Sequence, residues 1–124
     1  MRVRWFKPYE FECRCGCGMK AVSEYLVWWL DTLRRAWGDM VIVNSGRRCA
    51  AHNRTVGGAA QSRHLIGCAA DITCIAGGDF NGFAHLASRM AGTGADGWEF
   101  IIHSQKNFIH VAVPRDEASR VWGP

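Results

Sequence analysis

The sequence predicts an α+β domain in which a small, mostly antiparallel sheet packs on helices. Two observations predict this class. Apolar residues recur at helical spacing in two segments, and short β-branched runs lie between and after those segments. The chain has 124 residues, of which 48% are hydrophobic, so we expect one domain over residues 1–124 with a core of its own.

The first half of the chain is predicted to form a helix, a strand and a second helix. Apolar residues at helical spacing predict a helix over residues 22–37, which ends at Gly38. The β-branched run over residues 40–44 predicts a short strand that enters a turn. Residues 49–56 are predicted to form a short helix, because a pair of glycines follows and breaks it.

The second half is predicted to supply one helix and three strands. Residues 69–75 are predicted as a strand, and Asp79 as the cap of the helix that follows. One face of that helix is apolar and carries Phe80, Phe83, Ala84, Ala87 and Met90. Residues 98–103 and 107–113 are predicted as two strands of a hairpin, joined by the short Ser-Gln-Lys connection.

Composition and charge narrow the classes of partner. The net charge of +4 favours anionic partners such as a cell-wall polymer or nucleic acid. We expect no nucleic-acid partner, because the cysteines lack zinc-finger spacing and the aromatic residues fit a helical core. No apolar run approaches the roughly 20 residues that span a bilayer, and the first residues lack the features of a signal peptide. We therefore expect a monomer made in a cytoplasm, without a membrane partner.

The six cysteines are unusual for such a chain. Cys13, Cys15 and Cys17 form a C-x-C-x-C triplet, and a disulfide within it would be strained. The simplest interpretation is that the cysteines are free thiols in a reducing compartment. A second, structural zinc ion on the triplet is the alternative. It is less favoured because the triplet lacks the usual gap of about two to four residues between ligands.

Strand alternation points to a site that carries chemistry. In the last strand His110 faces away from the apolar residues on either side of it, and in the earlier strand Asp71 lies among small neighbours. His64 precedes Asp71 by a turn that contains Gly67. Two histidines and one carboxylate with an open coordination position are typical of a catalytic zinc site. The alternative is that these are unrelated polar residues with local roles.

The stretch around His64 resembles a known signature. The pattern S-x-H-x-x-G-x-A-x-D is matched at Ser62, His64, Gly67, Ala69 and Asp71. It resembles that of the zinc D-alanyl-D-alanine carboxypeptidases and related murein endopeptidases, which share a fold with the hedgehog signalling domain. The stretches "NSGRRC", "HNRTVGGAAQS" and "FIHVAV" are similar to other parts of that family, and "FECRCGCG" resembles its small phage and bacterial members.

The resemblance implies roles for five residues. His64, Asp71 and His110 would bind a catalytic Zn²⁺. Arg48 would hold a substrate carboxylate, for which a guanidinium is suited because it binds bidentately. Ser62 would either contact substrate or cap the turn before His64. The neighbouring Arg47 stands where the family usually has an aromatic residue, which leaves open which of the two arginines faces the cleft.

Two departures from the family concern the proton acceptor. Several members carry an acidic residue three positions before the last ligand or a histidine two positions before it, and these positions are Asn107 and Phe108 here. The aspartate two positions after that ligand is Ala112. Glu99 and His103 share one face of the neighbouring strand, so they are the candidates for a replacement base.

The leading hypothesis is a zinc metallopeptidase that hydrolyses peptide bonds of the peptidoglycan stem, as a carboxypeptidase or an endopeptidase. The alternative is a non-catalytic, zinc-containing module that binds the cell wall or a partner, and the missing base favours it. The apparent lack of a leader predicts a phage or prophage protein that reaches the wall only after release.

Overall fold

Within residues 2–91 and 97–123, which the computed structural model describes, four strands form one sheet that packs on helices. The helices are α1 (Glu24–Trp37), α2 (Ala50–Thr55) and α3 (Phe80–Ala91), and the strands are β1 (Val41–Ser45), β2 (Ala69–Cys74), β3 (Glu99–His103) and β4 (Phe108–Ala112). The spatial order is β1-β2-β4-β3, and every neighbouring pair is antiparallel. The predicted α+β class and the predicted order of elements are therefore confirmed.

Helix α1 begins two residues later than predicted. The side chain of Ser23 accepts a hydrogen bond from the Leu26 N–H, so Ser23 caps the helix and Val22 lies before it. Val22 is nevertheless buried in the core, which explains why it fits the apolar pattern. At the other end Gly38 has a φ of 79° and ends the helix as predicted.

The other two helices also start from side-chain caps. Cys49 was predicted inside the second helix, but its Sγ accepts the His52 N–H at 3.4 Å, so it caps α2 instead. The carboxylate of Asp79 accepts the Gly82 N–H at 2.9 Å at the start of α3, as the sequence predicted. Both caps satisfy backbone donors that the first turn leaves unpaired.

The first two strands lie within one residue of their predicted positions. β1 begins at Val41, and Met40 lies exposed before it. β2 ends at Cys74, because the carbonyl of Ile75 closes a turn by accepting the Gly78 N–H at 2.9 Å. Neither shift changes which face a side chain occupies.

The predicted hairpin is formed by β3 and β4. Its register pairs Glu99 with Ala112 at the open end and His103 with Phe108 beside the turn. Asn107 has a φ of 53° and belongs to the turn, so β4 begins one residue later than predicted. The connection therefore contains Asn107 in addition to the predicted Ser-Gln-Lys.

Within the described residues, three 3₁₀ helices were not predicted. They are Pro8–Phe11, Arg63–Ile66 and Arg115–Ser119. Each is about one turn long, so it has no hydrophobic period for a sequence pattern to show. The second carries His64 and the third carries Arg115, so two of them bear on the site.

The hydrophobic core lies between one face of the sheet and helices α1 and α3. Ile72 of β2 and Ile109 and Val111 of β4 are fully buried there against residues such as Leu30 and Phe83. Because strand side chains alternate, the residues between them face the other side of the sheet. That open face carries Asp71 and His110. No helix in the described ranges is long and apolar enough to cross a bilayer.

Candidate metal centre

Asp71 and His110 lie directly opposite each other on neighbouring strands. The β2–β4 register pairs the two residues, and His110 Nδ1 is 3.0 Å from Asp71 Oδ1. They are 39 positions apart in sequence. The antiparallel pairing of β2 with β4 is therefore what brings the carboxylate and the imidazole together.

The short 3₁₀ helix Arg63–Ile66 brings His64 to the same carboxylate. Ser62 caps this helix, since its Oγ accepts the His64 N–H at 3.2 Å. Gly67 ends it with a φ of 75°, and a Cβ at Gly67 would lie 2.4 Å from the carbonyl oxygen of Ala21. The resulting turn places His64 Nε2 3.2 Å from Asp71 Oδ1. Only glycine fits at this point of the chain, because both the backbone conformation and the space exclude a side chain.

Each imidazole is oriented by a hydrogen bond from its other nitrogen. His64 Nδ1–H donates to the carbonyl of Gly46 at 2.7 Å, and His110 Nε2–H donates to Glu99 Oε1 at 2.9 Å. His64 Nε2 and His110 Nδ1 are thereby available to bind an ion beside Asp71. Metal-binding histidines are held in this way, with the second nitrogen bonded to a carbonyl or a carboxylate.

The spacing of the three atoms fits a single zinc ion. His64 Nε2, His110 Nδ1 and Asp71 Oδ1 lie within 4.8 Å of one another. Bonds of about 2.0–2.1 Å in a tetrahedron separate two ligand atoms by about 3.3 Å. The nitrogen-to-oxygen distances of 3.0 and 3.2 Å are close to that value. The donor set and its spacing are thus compatible with zinc. We call His64, Asp71 and His110 the metal centre.

When no metal is bound, the electrostatics of the centre favour the charged forms of Asp71 and His110. Burial raises the pKa of Asp71, but hydrogen bonds from His110 and His64 outweigh it and hold the pKa well below its usual value of 3.8. Burial lowers the pKa of His110, but Asp71 and Glu99 outweigh it and raise the pKa above its usual value of 6.5. Zinc would take the place of the proton that His110 otherwise shares with Asp71.

Arg48 holds the second oxygen of the same aspartate. Its Nη2 is 3.3 Å from Asp71 Oδ2, its Nε donates to Ser45 Oγ at 3.1 Å, and its Nη1 donates to Asn53 Oδ1 at 3.2 Å. Asn53 is itself buried and donates to the carbonyl of Ala59 at 2.9 Å. Asp71 is therefore fixed on both sides, by the two histidines through Oδ1 and by Arg48 through Oδ2.

The structure also separates the two neighbouring arginines. Arg48 lines the cavity above the metal centre, whereas Arg47 points its guanidinium at the carbonyl of Ala21, at 2.8 Å. Of the two arginines, Arg48 is therefore the one that lines this cavity.

Glu99 and His103 occupy different environments on β3. Glu99 bonds His110 through Oε1, and its Oε2 is 3.5 Å from Arg63 Nε. Burial raises the pKa of Glu99, but the bond from His110 and the charge of Arg63 outweigh it and lower the pKa overall. The ring of His103 stacks on Phe108, with centroids 4.3 Å apart and planes at 12°. Both residues line the cavity, but Glu99 alone of the two bonds a residue of the metal centre in the described part of the chain.

The positions at which family members carry a base have other surroundings here. Asn107 lies in the hairpin turn, where its carbonyl accepts the hydroxyl of Thr73 at 2.6 Å, and it lines a separate hollow. Phe108 lines the cavity of the metal centre, and Ala112 is fully buried. None of these side chains can accept a proton from water.

Two further arginines line the cavity and were not singled out from the sequence. Arg63 donates to the carbonyls of Gly97 and Val113, the latter at 3.1 Å, and Arg115 donates to the carbonyl of Gln61 at 2.6 Å. The cavity has a volume of about 630 Å³. Arg48, Arg63 and Arg115 thus line the cavity together with the carboxylates of Asp71 and Glu99, an arrangement that no local sequence pattern indicates.

Comparison with known proteins matches the same region of the chain. The sequence model of the Peptidase M15 family matches residues 4–112, which include all three residues of the metal centre. A zinc D-Ala-D-Ala carboxypeptidase of Streptomyces albus G is 45% identical over 62 residues, which are 49% of this chain and 23% of the relative. The match thus extends over less than a quarter of that relative's length.

Proposed function

The chain belongs to the Peptidase M15 family, and we propose that it is a zinc-dependent peptidase that hydrolyses peptide bonds of the peptidoglycan stem. The observation that carries the proposal is the convergence of His64 Nε2, Asp71 Oδ1 and His110 Nδ1 at ligand spacing on the floor of a cavity. The similarity to a zinc D-Ala-D-Ala carboxypeptidase supports both the metal and the class of substrate.

In this proposal the chain supplies the three ligands and a shell that orients them. A zinc ion bound there would polarise the scissile carbonyl and lower the pKa of a water molecule to about 7. The carbonyl of Gly46 and the carboxylate of Glu99 hold the two imidazoles, and Arg48 holds the carboxylate of Asp71. These contacts fix the site before substrate arrives, which lowers the cost of organising it.

The arginines that line the cavity are proposed to bind the carboxylates of a stem peptide. Three of the five N–H donors of Arg48 are used by Ser45, Asn53 and Asp71, which leaves two for a substrate carboxylate. Ser62 also lines the cavity, and its hydroxyl hydrogen remains free to donate while its oxygen caps the turn. Arg48 and Ser62 are therefore the proposed substrate-binding residues.

Of the two candidate bases, His103 is the better proton acceptor in this proposal. Glu99 is already bonded to His110 and has a lowered pKa, so its affinity for a proton is reduced. His103 lines the same cavity, two residues along β3 from Ile101, which pairs with His110. Histidine is also the side chain that most often serves as a general base. We assign proton transfer to His103 and the orientation of His110 to Glu99.

A second candidate function is a non-catalytic module that binds the cell wall through the same cavity. Asn107 and Phe108 favour it, because neither supplies the base that the family carries at those positions. The zinc would then only hold the site together. The two functions make the same prediction for binding and opposite predictions for turnover.

Mass spectrometry of purified muropeptides after incubation with zinc-loaded protein tests the proposal. Loss of a terminal alanine would identify a carboxypeptidase, and a split stem or cross-link an endopeptidase. The His110→Ala variant should give no product, whereas His85→Ala, which changes an exposed histidine on α3, should act like the natural protein. Intact muropeptides that bind to the natural protein without being cut would favour the binding module.

A further inference from the structure

A second group of possible metal ligands lies outside the metal centre. The sulfur atoms of Cys13, Cys15, Cys17 and Cys49 all lie within 4.8 Å of one another, and we call these residues the cysteine cluster. Cys15 Sγ is 3.4 Å from Cys13 Sγ and 3.6 Å from Cys49 Sγ. The last of these residues lies far along the chain, so the fold completes a set that the triplet alone does not provide.

We propose that the cysteine cluster is a second metal site, in which four thiolates bind a structural zinc ion. Zinc–sulfur bonds of about 2.3 Å in a tetrahedron place neighbouring sulfurs about 3.8 Å apart. The two measured separations of 3.4 and 3.6 Å are close to that edge. Packing in the hydrophobic core does not explain three of the four cysteines, because Cys15 and Cys17 are exposed and Cys49 is half-buried.

The backbone around the cluster explains how a C-x-C-x-C triplet can surround one ion. In an extended strand, cysteines two residues apart would be separated by about 6.6 Å. Here the Gly16 N–H bonds the carbonyl of Cys13 at 3.2 Å, and Gly16 itself has a φ of 84°. The Cys13 N–H in turn bonds the carbonyl of Met19 at 2.7 Å and closes the loop. The turn therefore compensates for the short spacing between the cysteines.

Backbone donors point at two of the sulfurs. The Cys49 N–H is 3.4 Å from Cys13 Sγ, and the His52 N–H is 3.4 Å from Cys49 Sγ. Hydrogen bonds of this kind favour the thiolate, which is the form of cysteine that binds metal. The second donor belongs to the first turn of α2, so the helix and the cluster share Cys49.

The site would join the first residues of the chain to the segment that carries Arg48. The Arg47 N–H already bonds the carbonyl of Phe11 at 2.9 Å, and Cys49 follows Arg48 directly. A metal ion held by Cys13, Cys15 and Cys17 on one side and by Cys49 on the other would fix this contact. We expect its role to be structural, because it lies outside the cavity of the metal centre.

Metal content measured by inductively coupled plasma mass spectrometry tests the proposal. The natural protein, purified in zinc and dialysed, should hold two zinc ions per chain. Cys17→Ser and Cys49→Ser should hold one, and Cys74→Ala, which changes a buried cysteine of β2 outside the cluster, should hold two. One zinc ion in the natural protein that both serine variants retain, or two in both serine variants, would overturn the proposal.

Cobalt substitution gives an answer that does not depend on how the serine variants fold. Metal-free natural protein loaded with Co²⁺ should show strong thiolate-to-cobalt charge-transfer absorption in the near ultraviolet. The band should persist in His110→Ala, which keeps the cysteine cluster and lacks only a residue of the metal centre. If the cobalt-loaded natural protein lacks the band, the cluster does not bind metal, whatever the outcome for the metal centre.

Discussion

Glu99 accepts a hydrogen bond from His110 across the β3–β4 pair, with Glu99 Oε1 2.9 Å from His110 Nε2. This contact decides which nitrogen of His110 faces the metal centre, because Nε2 carries the hydrogen and Nδ1 is left toward Asp71. The same contact occupies the carboxylate of Glu99, which the sequence predicts as a candidate base. The same pair of residues therefore bears on metal binding and on the identity of the proton acceptor.

Removing the carboxylate of Glu99 should weaken zinc binding. We expect Glu99→Ala to lower the zinc affinity of the metal centre by about 10- to 100-fold, because His110 loses its orienting partner. Glu99→Gln should lose less zinc affinity, since its amide oxygen still accepts the hydrogen bond from His110. Zinc titration against a competing chelator measures the zinc affinity of both variants. Normal zinc affinity with abolished turnover in Glu99→Ala would instead identify Glu99 as the base.

Changing His103 should reduce turnover and leave zinc binding intact. If His103 accepts the proton, His103→Gln should lower kcat by about 10²- to 10⁴-fold, with zinc content unchanged. The matched change His85→Ala on α3 should alter neither quantity. An unchanged kcat in His103→Gln would exclude this histidine as the base.

Gly67 should be far less tolerant of a side chain than Gly57. Both have a left-handed backbone, with φ of 75° and 73°, but only Gly67 would place a Cβ against backbone, 2.4 Å from the Ala21 carbonyl oxygen. We expect Gly57→Ala to lower the free energy of unfolding by about 1 kcal/mol and Gly67→Ala by roughly 3 kcal/mol or more. Urea unfolding of both variants measures the difference. Equal losses would mean that the chain relaxes around residue 67 without cost.

In the metal-free protein, Asp71 and His110 should make a pH-dependent contribution to the free energy of unfolding. The raised pKa of His110 stabilises the fold below pH 6.5, and that contribution is lost as the pH rises through the raised value. The lowered pKa of Asp71 stabilises the fold above pH 3.8, and that contribution is lost as the pH falls through the lowered value. Both contributions are present together between about pH 3.8 and 6.5.

The matching measurement is urea unfolding of chelator-treated protein across that range, beside Asp71→Asn. The difference in the free energy of unfolding between the two proteins should be largest inside the window and should shrink on either side of it. Titrating groups that do not contact Asp71 contribute equally to both proteins and cancel. A difference that stays constant with pH would show that the pair is not coupled in the folded protein.

Local periodicity was sufficient to predict which strand face carries the polar residues. The two-residue period predicted that His110 lies on the opposite face of the strand from Ile109 and Val111. In the structure Ile109 and Val111 are buried in the core and His110 lies on the other face. The spacing of residues did not predict that β2 would pair with β4, because the strands are separated by a helix and another strand. The resemblance to a known signature implied only that His64, Asp71 and His110 would bind one ion, and the pairing itself is a finding of the structure.

Contacts between distant segments could not be read from the sequence. Cys49 joins a triplet 34 residues before it through a turn and a helix cap, and neither feature leaves a periodic pattern. The bond from Arg48 to Asp71 and the arrival of Arg115 at the cavity likewise depend on tertiary packing. The predicted roles of Arg48, Ser62, Glu99 and His103 remain predictions, for which the geometry now supplies specific partners.

Anomalous diffraction at the zinc edge, from crystals grown with zinc, tests the central claim most directly. We predict a peak between His64 Nε2, Asp71 Oδ1 and His110 Nδ1, and a separate one among the four sulfurs of the cysteine cluster. Crystals of His110→Ala should keep only the second peak. A map with no peak at the His64, Asp71 and His110 side chains of the natural protein would contradict the assignment of a zinc centre to this site.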